Sequence, residues 1–154
     1  MEPMLAVARE FAGLPHRCEF IRQINGVDFI NDSKGTNVGA AVAAVESLVP
    51  TTGKIVLIAG GEGKGADFRP LAEAASQYCR AVILIGRDAD AIDAALDEEV
   101  ERYRADSLEQ AVREASQLAH HGDRVLLSPA CASFDMFSSY SDRGDQFRAL
   151  VEAL

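Results

Sequence analysis

Apolar positions along the chain fall into two alternating rhythms. Runs with little polar interruption over residues 54–59, 80–85 and 124–127 read as strands buried on both faces, and a short strand is expected near 100–104. Between and after them, stretches rich in Ala, Leu and Val at three- and four-residue spacing predict helices over 37–48, 68–78, 89–96, 107–119 and 142–153. Ahead of this alternation, residues 18–24 and 27–31 are β-rich runs separated by Asn25-Gly26, a dipeptide suited to a two-residue hairpin turn because both residues tolerate positive φ. Residues 4–12 carry Leu5, Ala8 and Ala12 at near-helical spacing and run into Gly13-Leu14-Pro15, a helix stop followed by a residue that cannot continue it. The expected fold is α/β: a Rossmann-like, doubly wound, mostly parallel sheet with an N-terminal β-hairpin. Residues 1–15 read as the tail of a preceding domain and a hinge, and residues 16–154 as one domain.

Composition narrows the functional classes. A chain of 154 residues, 48% hydrophobic and 25% charged, can bury one core and is not a disordered polymer. Its net charge of −9 opposes non-specific attraction to nucleic acid or an anionic membrane, so neither partner is expected. No apolar run approaches the ~20 residues of a membrane helix, and no signal-peptide pattern opens the chain. Cys18, Cys79 and Cys131 lack ligand spacing, which argues against a disulfide framework or a metal site and fits a cytoplasmic protein. Cys131 reads as a packing residue and His120-His121 as a pair at a helix C-terminus.

Open α/β sheets bind ligands at the carboxyl ends of their strands. Four loops fall there: Asn31-Asp32-Ser33-Lys34-Gly35-Thr36-Asn37, Gly60-Gly61-Glu62-Gly63-Lys64-Gly65, Gly86-Arg87-Asp88 and Ser128-Pro129-Ala130-Cys131-Ala132-Ser133. The chain has three lysines, Lys34, Lys54 and Lys64, and two lie in these loops among Gly, Ser and Thr, which suggests an anion site. The alternative is that both are solvated loop charges. The 60–65 loop is not a Walker A loop, because Ile58 and Gly65 stand where that motif needs Gly and Ser or Thr; it can still wrap a small anion with backbone N–H groups. Asp32 could hold a metal, orient a ribose or cap the helix that follows. Arg17 could reach a phosphate from the hinge or form a surface ion pair. Ser133 lacks a nucleophile elbow, and no histidine is marked as a base.

Taken in order, Gly13-Leu-Pro-His-Arg17, Asn31-Asp-Ser-Lys-Gly-Thr-Asn37, Gly60-Gly-Glu-Gly-Lys-Gly-Ala-Asp-Phe68 and Leu127-Ser-Pro-Ala-Cys-Ala-Ser-Phe-Asp135 closely resemble the C-terminal domain of the MurD-type Mur ligases, and the match runs on through Arg143-Gly144 and Phe147. The resemblance implies a domain that brings D-glutamate to UDP-N-acetylmuramoyl-L-alanine for ATP-dependent amide formation through an acyl phosphate, in peptidoglycan synthesis. It implies that Arg17 and Asp32 approach ATP and that Thr36, Lys64 and Ser133 hold the carboxylates of D-glutamate. Phe134 would offer its backbone N–H, and Tyr140 stands where relatives have Phe. Lys34 at the phosphate edge and His16 in the hinge are the expected catalytic contributors. ATP and Mg2+ would be held mainly by other domains, none bound tightly here, so the isolated domain is expected to be an inactive monomer. The rival reading is a free-standing Rossmann-like nucleotide-binding or ligand-sensing module. An intact GxGxxG loop with a ribose-binding acid would favour it, and the chain has neither.

Overall fold

The computed structural model describes residues 15–133 and 135–154. The expected helix over 4–12, residues 13 and 14 of the hinge, and Phe134 lie outside them. The order is β1 (Glu19–Ile24), β2 (Val27–Asn31), α1 (Val38–Leu48), β3 (Ile55–Gly60), α2 (Arg69–Tyr78), β4 (Cys79–Ile85), α3 (Ala89–Ala95), β5 (Glu101–Arg104), α4 (Leu108–Leu118), β6 (Arg124–Leu127) and α5 (Tyr140–Glu152). One six-stranded sheet has the order β1-β2-β6-β3-β4-β5. Only β1 and β2 pair antiparallel; the other neighbours are parallel. The hairpin turns at Asn25 and Gly26 with φ of 52° and 76°, the left-handed pair that matches strand twist.

Alternation along β3 explains why no polar residue interrupts it. Ile55, Leu57 and Ala59 face a core built with α1, α2 and α3, whereas Val56 and Ile58 face a second core with α4 and α5. All six residues of β3 are buried. Phe147 and Val151 of α5 are fully buried in the second core, and each such side chain contributes about 1.5–3 kcal/mol of transfer free energy.

Element ends depart from the sequence reading by one or two residues. Asn37, not Asp32, caps α1, its side chain accepting from the Ala40 N–H at 2.8 Å. Helix α5 starts at Tyr140 rather than 142 because the Ser139 Oγ accepts from the Asp142 N–H at 3.0 Å, while Asp142 reaches back to the Ser138 N–H at 3.1 Å. Helix α4 ends at Leu118, so His120 and His121 sit in the turn just beyond it. There the His121 ring packs over Gly26, whose missing Cβ makes the room.

At the amino edge, the buried Asp123 gathers three strand starts. It pairs with Arg80 at 2.6 and 3.1 Å and accepts the N–H groups of Lys54 and His120. Burial works to raise its pKa, but Arg80 and the two N–H donors outweigh that and hold it below the usual carboxylate range.

Candidate functional site

Strands β2, β6 and β3 lie side by side in register, with Asn31 opposite Leu127 and Leu127 opposite Ile58. The loops that follow them therefore emerge at one level, where strand order reverses. A cleft of about 440 Å³ opens between these loops, lined by Thr36, Glu62, Gly63, Lys64, Ala132, Ser133 and Tyr140 among others. Of the five residues expected to meet the amino acid, it brings together Thr36, Lys64, Ser133 and Tyr140; the fifth, Phe134, lies outside the described residues. A cavity of similar volume at the opposite edge is lined by Gly26, His121, Asp123 and Arg124, but its charges are already paired, Asp123 with Arg80 and Arg124 with Asp28.

The glycine-rich loop owes its path to two glycines. A Cβ at Gly60 (φ 133°) would overlap the Ile85 carbonyl, and one at Gly61 (φ 131°) would overlap the Ala132 carbonyl. The loop is also tied across to the Ser133 loop by a two-way backbone pairing of Glu62 with Ala132, at 2.9 and 3.0 Å. Several N–H groups that could have wrapped an anion are taken by the protein itself. Those of Gly60, Glu62, Gly63 and Ala66 donate to Pro129 O, Ala132 O, Asp88 Oδ2 and Gly63 O. What the loop presents instead is a cation. Lys64 is exposed, makes no ion pair among the described residues, and holds a left-handed φ of 53° that a non-glycine residue adopts at some cost. The acidic Glu62 beside it is matched by Arg87 at 3.1 Å.

A neighbouring groove of about 370 Å³ collects Arg17, Cys18, Asp32, Lys34 and Gly35 against Ala40, Ala43, Ala44 and Ser47 of α1. The Asp32 carboxylate accepts from the Cys18 N–H at 3.1 Å through Oδ1 and from the Ser128 hydroxyl at 2.7 Å through Oδ2. Burial raises its pKa above the usual carboxylate value, partly countered by those hydrogen bonds and by Arg17. Burial also pushes the Cys18 thiol up to about 12, with Asp32 adding to the effect, so the thiol stays protonated. Lys34 is exposed, and its Nζ lies 5.9 Å from the centre of the Tyr140 ring.

His16 is buried rather than facing the cleft. Asn31 Oδ1 accepts the Ser33 N–H at 3.0 Å, which turns its Nδ2 toward His16 Nδ1, also at 3.0 Å. On its other side, His16 Nε2 faces Asp145 at 3.5 Å. Gly144 leaves the space the ring fills, and the His16 carbonyl accepts the Lys34 N–H at 2.9 Å. Asn31 and Arg143, to which the sequence motifs gave no role of their own, are the hubs of this region. Fully buried Arg143 donates to Ser33 and to the Cys131 carbonyl, joining the loops on either side of the cleft. Burial pushes its pKa down to about 10, which leaves it protonated at neutral pH. Cys131 packs in the core with its thiol raised to about 12 by burial.

Among the described residues no three His, Cys, Asp or Glu side chains gather as metal ligands. Asp32 is the carboxylate of the Arg17 groove, and each of its oxygens accepts a hydrogen bond from within the protein. No helix among the described residues is long and apolar enough to cross a membrane.

The family described as "Mur ligase, glutamate ligase domain" matches residues 16–131. The chain is 68% identical to a UDP-N-acetylmuramoylalanine–D-glutamate ligase of Marinobacter nauticus over 100% of its length and 34% of the relative's. It is 56% identical to the ligase of the same name from Pseudomonas fluorescens, over 99% of the chain and 34% of that relative. The chain thus spans about a third of the length of the curated relatives it matches. Among solved structures, it is similar in fold to a murein peptide ligase of Psychrobacter arcticus, with TM-score 0.64 and 12% identity over 90% of the chain and 30% of that structure. A Thermotoga maritima MurF ligase in complex with ADP gives TM-score 0.60 and 18% identity over 91% and 32%.

Proposed function

The chain belongs to the Mur ligase family as its C-terminal glutamate ligase domain, and on that premise we propose that it receives D-glutamate for an ATP-dependent ligase that extends UDP-N-acetylmuramoyl-L-alanine. One observation carries this reading: a single cleft gathers Thr36, Lys64, Ser133 and Tyr140. D-glutamate carries two carboxylates, and the Lys64 ammonium with the Thr36 and Ser133 hydroxyls supplies the donors they need.

Arg17, Asp32 and Lys34 share the adjoining groove and face ATP held on the central domain, with Lys34 at its phosphate edge. His16, buried behind Lys34, acts as a positioning residue for that edge. The chain's part in the reaction is to hold the D-glutamate amine in line with an acyl phosphate formed on the partner substrate. The neutral amine attacks the acyl carbon, a tetrahedral centre forms, and as its C–O bond to phosphate breaks the nitrogen gives up one proton, leaving the amide and free phosphate. Fixing that approach supplies up to about 7–11 kcal/mol of the barrier reduction by proximity. Magnesium belongs to the other domains. Residues 1–15 are the tail of a preceding domain and a hinge, the isolated domain folds as a monomer that neither hydrolyses ATP nor ligates, and the enzyme works in the cytoplasm.

The test is ADP release by the full-length protein. It should require both UDP-N-acetylmuramoyl-L-alanine and D-glutamate, with L-glutamate a poor substitute. Turnover indifferent to D-glutamate would overturn the reading. Calorimetric binding of NAD in preference to D-glutamate or ATP would favour a dinucleotide module instead.

A further inference from the structure

We propose that Asp88 is a positioning residue for amino-acid binding, acting through the backbone of the loop that carries Lys64. This rests on the reading of Lys64 as a ligand of D-glutamate. Asp88 stands at the N-cap of α3, where an aspartate ordinarily accepts N–H groups of its own helix and contributes about 1 kcal/mol. It makes no such side-chain bond. Its Oδ2 instead accepts the Gly63 N–H at 2.7 Å, 25 residues away and one residue before Lys64.

The rest of the turn supports the same job. The Asp88 N–H donates to the Gly61 carbonyl at 3.0 Å, and Arg87 pairs with Glu62. On the other side, the Arg87 N–H donates to Asp135 Oδ2 at 2.8 Å, two residues beyond Ser133. The Gly86–Asp88 turn is thus a splint between the Lys64 loop and the Ser133 loop. The splint is needed because four of the six residues from 60 to 65 are glycine, the residue that loses most conformational freedom when fixed. Without a tether beside Lys64, its ammonium would sample many places for each one that meets a carboxylate. The physical signature is therefore weaker capture of one substrate, not slower chemistry once it is bound.

Three variants of the full-length ligase test this. In Asp88→Ala, KM for D-glutamate should rise about 10-fold, the lower end of what losing one charge-assisted hydrogen bond costs, with kcat and KM for ATP within about 2-fold. Asp88→Asn keeps a carbonyl acceptor and should recover most of the loss. Asp88→Ser can cap α3 but is too short to reach Gly63, so it should hold the thermal midpoint while keeping the KM defect, which separates positioning from stability. A normal KM for D-glutamate in Asp88→Ser, or a parallel rise for ATP, overturns the proposal while a Lys64→Ala defect leaves the underlying reading standing. A Lys64→Ala enzyme with unchanged D-glutamate kinetics overturns both.

Discussion

Arg143 and Ser33 are joined twice, Nε to the Ser33 hydroxyl at 2.9 Å and Nη2 to the Ser33 carbonyl at 2.7 Å, while Nη1 reaches Cys131 O at 3.1 Å. A guanidinium suits this task because its planar fork meets three acceptors at once. The Ser33 hydroxyl passes the connection on, donating to the Tyr140 carbonyl at 2.7 Å. Two loops that flank the cleft are thus fixed to each other and to the start of α5.

Removing that hub should cost stability. Arg143→Ala strands two buried carbonyls and leaves a void, and about 3–5 kcal/mol should be lost. Arg143→Lys should recover less than half, since an ammonium cannot span the same three acceptors. Urea unfolding measures both, and a change below about 1 kcal/mol for Arg143→Ala would contradict this role.

Asp32 should work against stability at neutral pH. Its folded pKa is raised, so the native state binds its proton more tightly than the unfolded chain, and stability is lost as pH rises from about 3.9 through the folded value. Asp32→Asn should therefore be at least as stable as the parent at pH 7, with the advantage shrinking as pH falls toward 4. Unfolding midpoints at pH 7 and 4 check the sign, and an advantage that grows on acidification would refute it.

Gly60 and Gly65 both have positive φ but should respond differently to alanine. A Cβ at Gly60 meets the Ile85 backbone, so Gly60→Ala should cost more than about 3 kcal/mol. At Gly65 nothing lies within 4 Å, and only the left-handed backbone penalty of about 1 kcal/mol should remain. Equal losses, measured by urea unfolding, would mean the loop is not seated against β4 as described.

The strands and helices were legible because period and punctuation agree: Asn25-Gly26 for the hairpin, unbroken apolar runs for β3, β4 and β6, an Ala-rich stretch for α1 and apolar residues at three- and four-residue spacing for α4. Three residues that line the cleft, Thr36, Lys64 and Ser133, lie in motifs held in order along the chain, whereas Tyr140 stood out only as a departure from the relatives' Phe. What local pattern could not reveal is which polar residues are spent inside the protein. Nothing in the sequence says that Arg143 is buried or that Asp88 turns from its own helix to Gly63. Capping was one of three readings open for Asp32, and only the fold shows Asn37 in that place. The irregularity in β1 between Phe20 and Arg22 likewise has no turn residue to announce it.

The most direct test compares Lys64→Ala with Lys54→Ala in the full-length ligase. Lys64 lines the cleft, whereas Lys54 precedes β3 at the opposite edge of the sheet. Losing a charge-assisted bond to a carboxylate, roughly 1.5–3 kcal/mol, should lower kcat/KM for D-glutamate about 10- to 150-fold in Lys64→Ala. KM for ATP should barely move, and Lys54→Ala should behave as the parent. Equal losses in the two variants, or a Lys64→Ala defect confined to ATP, would contradict the placement of the amino acid in this cleft.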